Sequence, residues 1–316
     1  MRRDEALRSL GAAASALAMP ALALGVPRTA RAAAKPVRIG VVASDVSAEP
    51  IYADAQGMYA RAGLEAQIQT LANGGAIIAA VASSALDVGF ANLTSIAAAR
   101  QRGVPVKIVA PATLYTDRAP VTVLVKARGS KLRTGSDLRG KTVAVSTLRG
   151  ELQVAVADWI DKTGGSSAET KFLEIPFAAM AAALTAGRID AAMLTEPALT
   201  LHKDAVELLA PAYTAIAEEF LIGGFVASEA WLRENPDSAK RFSALMLDVA
   251  RWANRHHNET AVILAKHAGL DEALVRSMTR ATYGERLAAE YIQPVLDAAL
   301  KYGSLKSPMK AAELIG

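Results

Sequence analysis

Two stretches of the chain carry side chains able to hold a small solute, and they carry them at matching spacing. Leu86-Asp87-Val88-Gly89-Phe90-Ala91-Asn92 returns as Ile189-Asp190-Ala191-Ala192-Met193-Leu194-Thr195. Upstream, Val37-Arg38-Ile39-Gly40-Val41-Val42-Ala43-Ser44 is echoed by Lys141-Thr142-Val143-Ala144-Val145-Ser146. Ser44 lies 43 positions before Asp87, and Ser146 lies 44 before Asp190. The apolar runs end in Ser, Asn, Thr or Glu, groups that donate and accept hydrogen bonds. No nucleophile–base pair, phosphate loop or metal constellation accompanies them, so the chemistry is non-covalent holding. In open α/β sheets ligands sit beyond the carboxyl ends of strands, against helix N-termini. Two such units imply two lobes facing one cleft.

The elements that must position these ends can be read along the chain. Strands are expected at 37–44, 64–71, 87–91 and 106–110, with helices at 48–62, 76–84 and 94–102 between them. Glycines 63 and 103 close two of those helices. This βαβαβαβ series predicts a mostly parallel sheet with helices on both faces. A second unit follows, with strands at 142–145, 171–175, 191–194 and 206–209 and helices at 151–163 and 178–186. Segments 121–126 and 225–228 are candidate hinge strands, because a chain that builds one lobe, then another, then returns must cross twice. The last 80 or so residues read as helical, opened by Asn235-Pro236. The division expected is 1–34 as a signal peptide, 35–125 with 226–316 as the first lobe, and 126–225 as the second.

Composition bounds the function. A basic start, an apolar stretch interrupted by Pro20 and the small residues Ala32-Ala33-Ala34 match an export signal rather than a membrane anchor. The pair Arg2-Arg3 hints at twin-arginine export, although Asp4-Glu5-Ala6 lacks the hydrophobic run that should follow it. There is no cysteine, which excludes disulfides, thiolate chemistry and a lipid-bearing N-terminal cysteine. The expected location is therefore the bacterial periplasm. Residues 1–34 hold five arginines and two acids, so without them the net charge falls from +4 to +1. Nucleic-acid binding loses its electrostatic basis. The four histidines sit at no metal-ligand spacing and read as surface or packing residues, and neither cofactor nor metal is expected.

Six motifs in order resemble one family. Gly57-Met58-Tyr59-Ala60-Arg61-Ala62-Gly63-Leu64, Ala85-Leu86-Asp87-Val88-Gly89, Asp137-Leu138-Arg139-Gly140-Lys141-Thr142-Val143-Ala144-Val145, and Ala183-Leu184 with Gly187, Asp190 and Glu196-Pro197 are the main ones. Asn235-Pro236 and Tyr302-Gly303 complete the set. Together they are similar to periplasmic solute-binding proteins of ABC importers, in the group for nitrate, sulfonates, taurine and thiamine-pyrimidine precursors. The resemblance implies a type II periplasmic-binding-protein fold and a monomer that is not membrane-embedded. It also implies delivery of a small ligand to a membrane permease and ATPase.

On this reading the first lobe contributes Ser44, Asp45, Asn73, Gly74, Gly75, Asn92 and Thr94 to the ligand. The second contributes Ser146, Thr147, Arg149, Gly150, Thr195 and Glu196, with Tyr115, Thr116 and Phe220 as walls. Backbone N–H groups at Gly74-Gly75 and Arg149-Gly150 are placed to receive an oxyanion at helix N-termini. Asn73, Asn92 and Thr94 have an alternative reading as turn or capping residues. Glu196 in the cleft would favour a ligand with a donor group over a bare anion. Asp87 and Asp190, at matching strand starts, are assigned to structure. Two other classes stay open. One is an enzyme on the same fold, such as a pyrimidine-precursor synthase or menaquinone-pathway enzyme, which the export signal and absent cysteine disfavour. The other is a ligand-sensing subunit of a membrane receptor.

Overall fold

The computed structural model describes residues 35–316; the expected signal, 1–34, lies outside the described residues. The first half runs β1 (Val37–Val41), α1 (Glu49–Ala55), α2 (Met58–Arg61), β2 (Ala66–Thr70), α3 (Gly74–Ala82), β3 (Val88–Asn92), α4 (Leu93–Gln101) and β4 (Val106–Pro111). The helix expected over 48–62 is two helices. Gly57 adopts φ 61°, a left-handed conformation that ends α1 and starts α2. β5 (Thr113–Thr116) then leaves the first half. The second half holds β6 (Thr122–Ala127), β7 (Thr142–Val145), α5 (Glu151–Lys162), β8 (Lys171–Glu174), α6 (Phe177–Thr185), β9 (Ala191–Thr195), α7 (Ala198–Leu201) and β10 (Val206–Ala210). The return passes through β11 (Glu219–Leu221) into β12 (Gly223–Ser228). α8 (Glu229–Glu234), α9 (Pro236–Ala253), α10 (His257–Ala268), α11 (Glu272–Ser277), β13 (Thr282–Tyr283) and α12 (Gln293–Lys301) finish the chain.

The two five-stranded sheets have one plan. The first has the order β2-β1-β3-β12-β4 and the second β8-β7-β9-β6-β10. In each, one strand runs against the other four: β12 between β3 and β4, and β6 between β9 and β10. Thus 121–126 and 225–228, expected as hinge strands, lie inside the two sheets. The strands that make the crossings are β5 and β11, which pair antiparallel with each other in a small sheet completed by β13. Short links of this kind carry no hydrophobic run long enough to announce a strand.

The repeat has an exact structural counterpart at its aspartates. Asp87 accepts a hydrogen bond from the Arg38 N–H at 2.8 Å and returns its own N–H to the Arg38 carbonyl. Asp190 accepts from the Thr142 N–H at 2.9 Å and returns its N–H to the Thr142 carbonyl. Both acids therefore tie the start of one parallel strand to the next, as their assignment to structure required. Each sheet buries its strands under apolar helices. Ile39, Val41, Val88, Ile108 and Val226 are fully buried in the first, and Val143, Ala192, Met193 and Leu194 in the second.

Candidate functional site

Most of the expected residues follow the carboxyl ends of β1, β2, β3, β7 and β9, and of them Ser44 and Asp45 line a cavity there. Ser44 caps the turn Asp45–Ser47, and its hydroxyl donates to the Glu196 carbonyl at 3.5 Å, a contact from one half to the other. Asn73 caps α3 by accepting from the Ala76 N–H at 2.9 Å. Asn92 caps α4 by accepting from the Ser95 N–H at 2.8 Å. Capping leaves each amide nitrogen available to another partner. Gly74 lies against β3: a Cβ there would stand 3.1 Å from the Ala91 Cα, so a side chain would push α3 and β3 apart by a few tenths of an ångström. Gly75 follows it, with space limited by the Asn73 Oδ1 at 3.2 Å.

Asp45 departs from expectation. It is 1% exposed, and its oxygens accept from Arg280 at 2.9 and 3.0 Å, Tyr52 at 2.7 Å, Tyr283 at 2.8 Å and the Ala281 N–H at 2.9 Å. Burial alone would raise its pKa, but the Arg280 guanidinium and these donors outweigh it and hold the carboxyl below the usual range. A carboxylate so fully engaged braces the loop after β1.

In the second half Ser146 is half-buried, and Thr147 and Arg149 stand exposed. Arg149 adopts φ 55° where the chain turns into α5. Its N–H donates to Gln153 Oε1 at 2.7 Å, and the Gly150 N–H donates to the Thr147 carbonyl at 3.2 Å. These two N–H groups are thus engaged and do not form the expected oxyanion site. Thr195 is likewise taken: its hydroxyl accepts from Thr122 at 2.9 Å and donates to the Val121 carbonyl at 3.2 Å. Glu196 accepts from the Thr200 hydroxyl at 2.9 Å, the Thr200 N–H at 3.1 Å and the Thr279 N–H at 3.3 Å. Burial raises its pKa, and the Thr200 bonds moderate the shift. Its role is to join α7 to the segment after α11.

Tyr115 and Phe220 are core residues of the links rather than walls of a cleft. Their rings pack 5.1 Å apart and both close on Tyr213 at 5.3 Å, while the Tyr115 hydroxyl bonds Thr214 at 2.6 Å. Thr116 is half-buried in β5, opposite Glu219.

A cavity of about 180 Å³ opens beside these strand ends. Ala43, Ser44, Asp45, Ile51 and Thr70 line it from the first half, Pro197 from the second, and Leu264, His267, Ala268 and Leu270 from α10 and its end. Its walls are largely apolar, with Ser44, Asp45, Thr70 and His267 as the polar residues of the lining. A larger cavity, about 540 Å³, lies at the opposite strand ends around the Arg38–Asp87 ion pair and Trp231. Sequence reasoning missed the α10 residues, whose only signal was an apolar helical stripe, and it left His267 as a packing residue. Among the described residues, no three His, Asp or Glu gather as a metal site, and no helix is long and apolar enough to cross a membrane.

The buried acids complete the electrostatics. Glu49 and Glu151 have no hydrogen-bond partner for either carboxyl oxygen among the described residues. Burial raises Glu49 well above the usual range, with the Asp45 charge adding to it. Burial pushes Glu151 up to about 8. Neither was singled out from sequence, because an acid in the first turn of a helix ordinarily faces water.

The model of the family described as "NMT1/THI5 like" matches residues 46–260. A protein of Brucella abortus strain 2308, carried under a provisional binding-protein name, is 24% identical over 316 residues, covering 93% of this chain and 94% of its own. The riboflavin-binding protein RibY of Chloroflexus aurantiacus is 31% identical over 202 residues, 61% of this chain and 55% of its own. Among solved structures, the periplasmic aliphatic sulphonate binding protein SsuA of Escherichia coli superposes with a TM-score of 0.72 at 17% identity, over 89% of this chain and 92% of that one. The duplicated five-stranded plan is thus a periplasmic-binding-protein fold, and the chain belongs to the NMT1/THI5-like family.

Proposed function

We propose that the protein captures a small organic solute between its two halves and passes it to an ABC-type permease and ATPase, without catalysis. The carrying observation is the cavity of about 180 Å³ at the strand ends, whose lining joins Ser44 and Ile51 of the first half to Pro197 of the second. A ligand touching both halves favours the state in which they are together, because only that state makes both sets of contacts. Its apolar lining suits the carbon body of an organic molecule better than a bare inorganic ion. An anionic or zwitterionic head would meet Ser44 in the lining and, on closure, the polar groups of the loops that follow the strands: Asn73, Asn92, Ser146, Thr147 and Arg149, with the N–H groups of Gly74 and Gly75. The names of the relatives, which include riboflavin-binding and sulphonate-binding proteins, support an organic ligand. On this reading residues 1–34 direct export, and the mature protein works as a monomer in the periplasm.

Thermal unfolding against a panel of solutes tests the reading. Nitrate, taurine, alkanesulfonates, aromatic carboxylates, aminopyrimidines and riboflavin make up the panel. A ligand at about a hundred times its dissociation constant adds about 2.7 kcal/mol of stability. The expected result is a clear shift with one organic class and none with nitrate; a shift with nitrate alone, or with nothing, contradicts the proposal.

A further inference from the structure

Glu151 lies in the joint between the halves, next in the chain to the Thr147–Gly150 loop and outside the lining of the cavity of about 180 Å³. It is the first residue of α5, in the second half, and is 1% exposed. Facing it are the start of α4, in the first half, and the turn Ala212–Ala215 of the return link. The Tyr213 hydroxyl and the Leu93 and Thr94 N–H groups are its nearest donors and moderate the rise, but none reaches the carboxyl with full hydrogen-bond geometry, and the Leu93 N–H is already given to the Ile222 carbonyl. The Thr94 hydroxyl, also buried, is unpaired as well. Three polar oxygens, two on Glu151 and one on Thr94, therefore meet across the seam with no partner among the described residues.

Among the described residues no cation bonds the carboxyl. On α12, Lys301 reaches Asp158 at 2.9 Å and Tyr302 reaches Asp158 and Asp161 at 3.0 and 2.9 Å, about two turns further along α5. Lys162 bonds Asp158 and the Ala215 carbonyl. On the turn Gly135–Leu138, Asp137 is held by the Arg133 and Thr134 N–H groups, and on the turn Ser167–Glu169, Glu169 pairs with Arg139. α4 offers Glu151 only N–H groups and the Thr94 hydroxyl, while its Arg100 pairs with Glu229. Glu196, the other buried acid at the seam, has three donors of its own. Glu49 sits on α1, inside the first half.

A carboxylate sealed from water with no cation and no well-made hydrogen bond is far more costly than a neutral carboxyl. We infer that bringing the halves together takes up one proton from solvent onto the carboxylate of Glu151, and that parting them releases it to water. The inference rests on the reading of the halves as lobes that open and close. When they part, the carboxyl meets water and recovers an ordinary glutamate pKa near 4.3. Together, burial holds it up to about 8. The raised value belongs to the closed state, so closure is fully favoured below the open-state value and weakens as pH rises toward 8. Between about 5 and 8 the closed-to-open ratio falls about tenfold per pH unit, and outside those limits it is flat.

Amide hydrogen exchange on the full chain without ligand tests this, following the peptides that span 93–97 and 151–156 from pH 6 to 9. After correction for the intrinsic rate, protection in the wild type is expected to fall about tenfold per unit up to pH 8 and then level. Glu151→Gln removes that slope. Glu151→Met, apolar and of similar length, gives the same flat profile and serves if the glutamine variant does not fold. Slopes shared by the wild type and a variant assign the proton to another group and overturn the inference, as does a flat wild-type profile. The readout needs no ligand. A flat profile with a positive solute panel removes proton uptake alone; a steep profile with a silent panel removes the solute reading alone.

Discussion

The loops after β1 and β7 occupy equivalent places in two sheets of identical order, yet they are built in opposite ways. The loop after β1 turns Asp45 inward onto Arg280, Tyr52 and Tyr283 and is locked from four directions. The loop after β7 leaves Thr147, Leu148 and Arg149 exposed and holds itself by local bonds to Gln153 and Glu174. Duplication preserved the frame while the two rims diverged. One rim is braced by the C-terminal segment, and the other is solvated and held by bonds to Gln153 and Glu174.

The sharpest way to break that contrast is Arg280→Ala. It leaves Asp45 buried without its cation, and a loss of about 3–5 kcal/mol is expected in urea unfolding. The wild type gains its Asp45 contribution above the ordinary aspartate pKa and loses it as pH falls through the depressed folded value. In the variant that acid-side loss should vanish, because the desolvated carboxyl no longer has a reason to stay charged. Next, Asp87→Ala should cost about 1.5–3 kcal/mol, since the carboxylate receives both the Arg38 N–H and its guanidinium. Asp190→Ala, with a half-exposed Lys141 partner, should cost roughly 1 kcal/mol. Equal losses would mean that the two halves are braced alike.

Gly40 pairs with Gly89 where the second sheet pairs Ala144 with Ala192. A Cβ at Gly89 would stand 2.2 Å from the Ile77 Cγ2, so Gly89→Ala should cost about 1–3 kcal/mol. Ala192→Gly, which only loosens a strand, should cost about 0.5–1 kcal/mol. The smallest effect is expected at Arg149→Gly. It relieves a left-handed backbone at a non-glycine residue, so stability should hold or rise by up to about 1 kcal/mol in the same urea assay.

The frame was legible because its signals are local. Apolar runs, glycine stops and the paired aspartates predict nearly every strand of both sheets, and the repeat marks Asp87 and Asp190 as structural, though not that their partners are Arg38 and Thr142. The antiparallel placement of β6 and β12 was not legible, since strand order is a property of pairing across the chain. The site was harder for the same reason. Asp45 finds Arg280 235 positions away, and Glu196 finds Thr279 83 positions away. Nothing near either acid in sequence says that its oxygens are spoken for. Asn73 and Asn92 could be read as caps because a cap bonds within three residues. Glu151 escaped notice because an acid at a helix start normally faces water, and only the arrival of α4 and of the turn Ala212–Ala215 buries it.

The central claim, that a half with a braced rim and a half with a solvated rim close on one solute, has a direct measurement. The chain contains no cysteine, so spin labels can be attached at two introduced cysteines alone, at exposed Ala79 on α3 and exposed Lys171 on β8. Pulsed electron–electron distances would be recorded with and without the panel compound that gives the largest thermal shift. If the halves close on the solute, the compound narrows the distribution to a single short distance. A distribution unchanged by a saturating compound would contradict closure of the halves around the ligand.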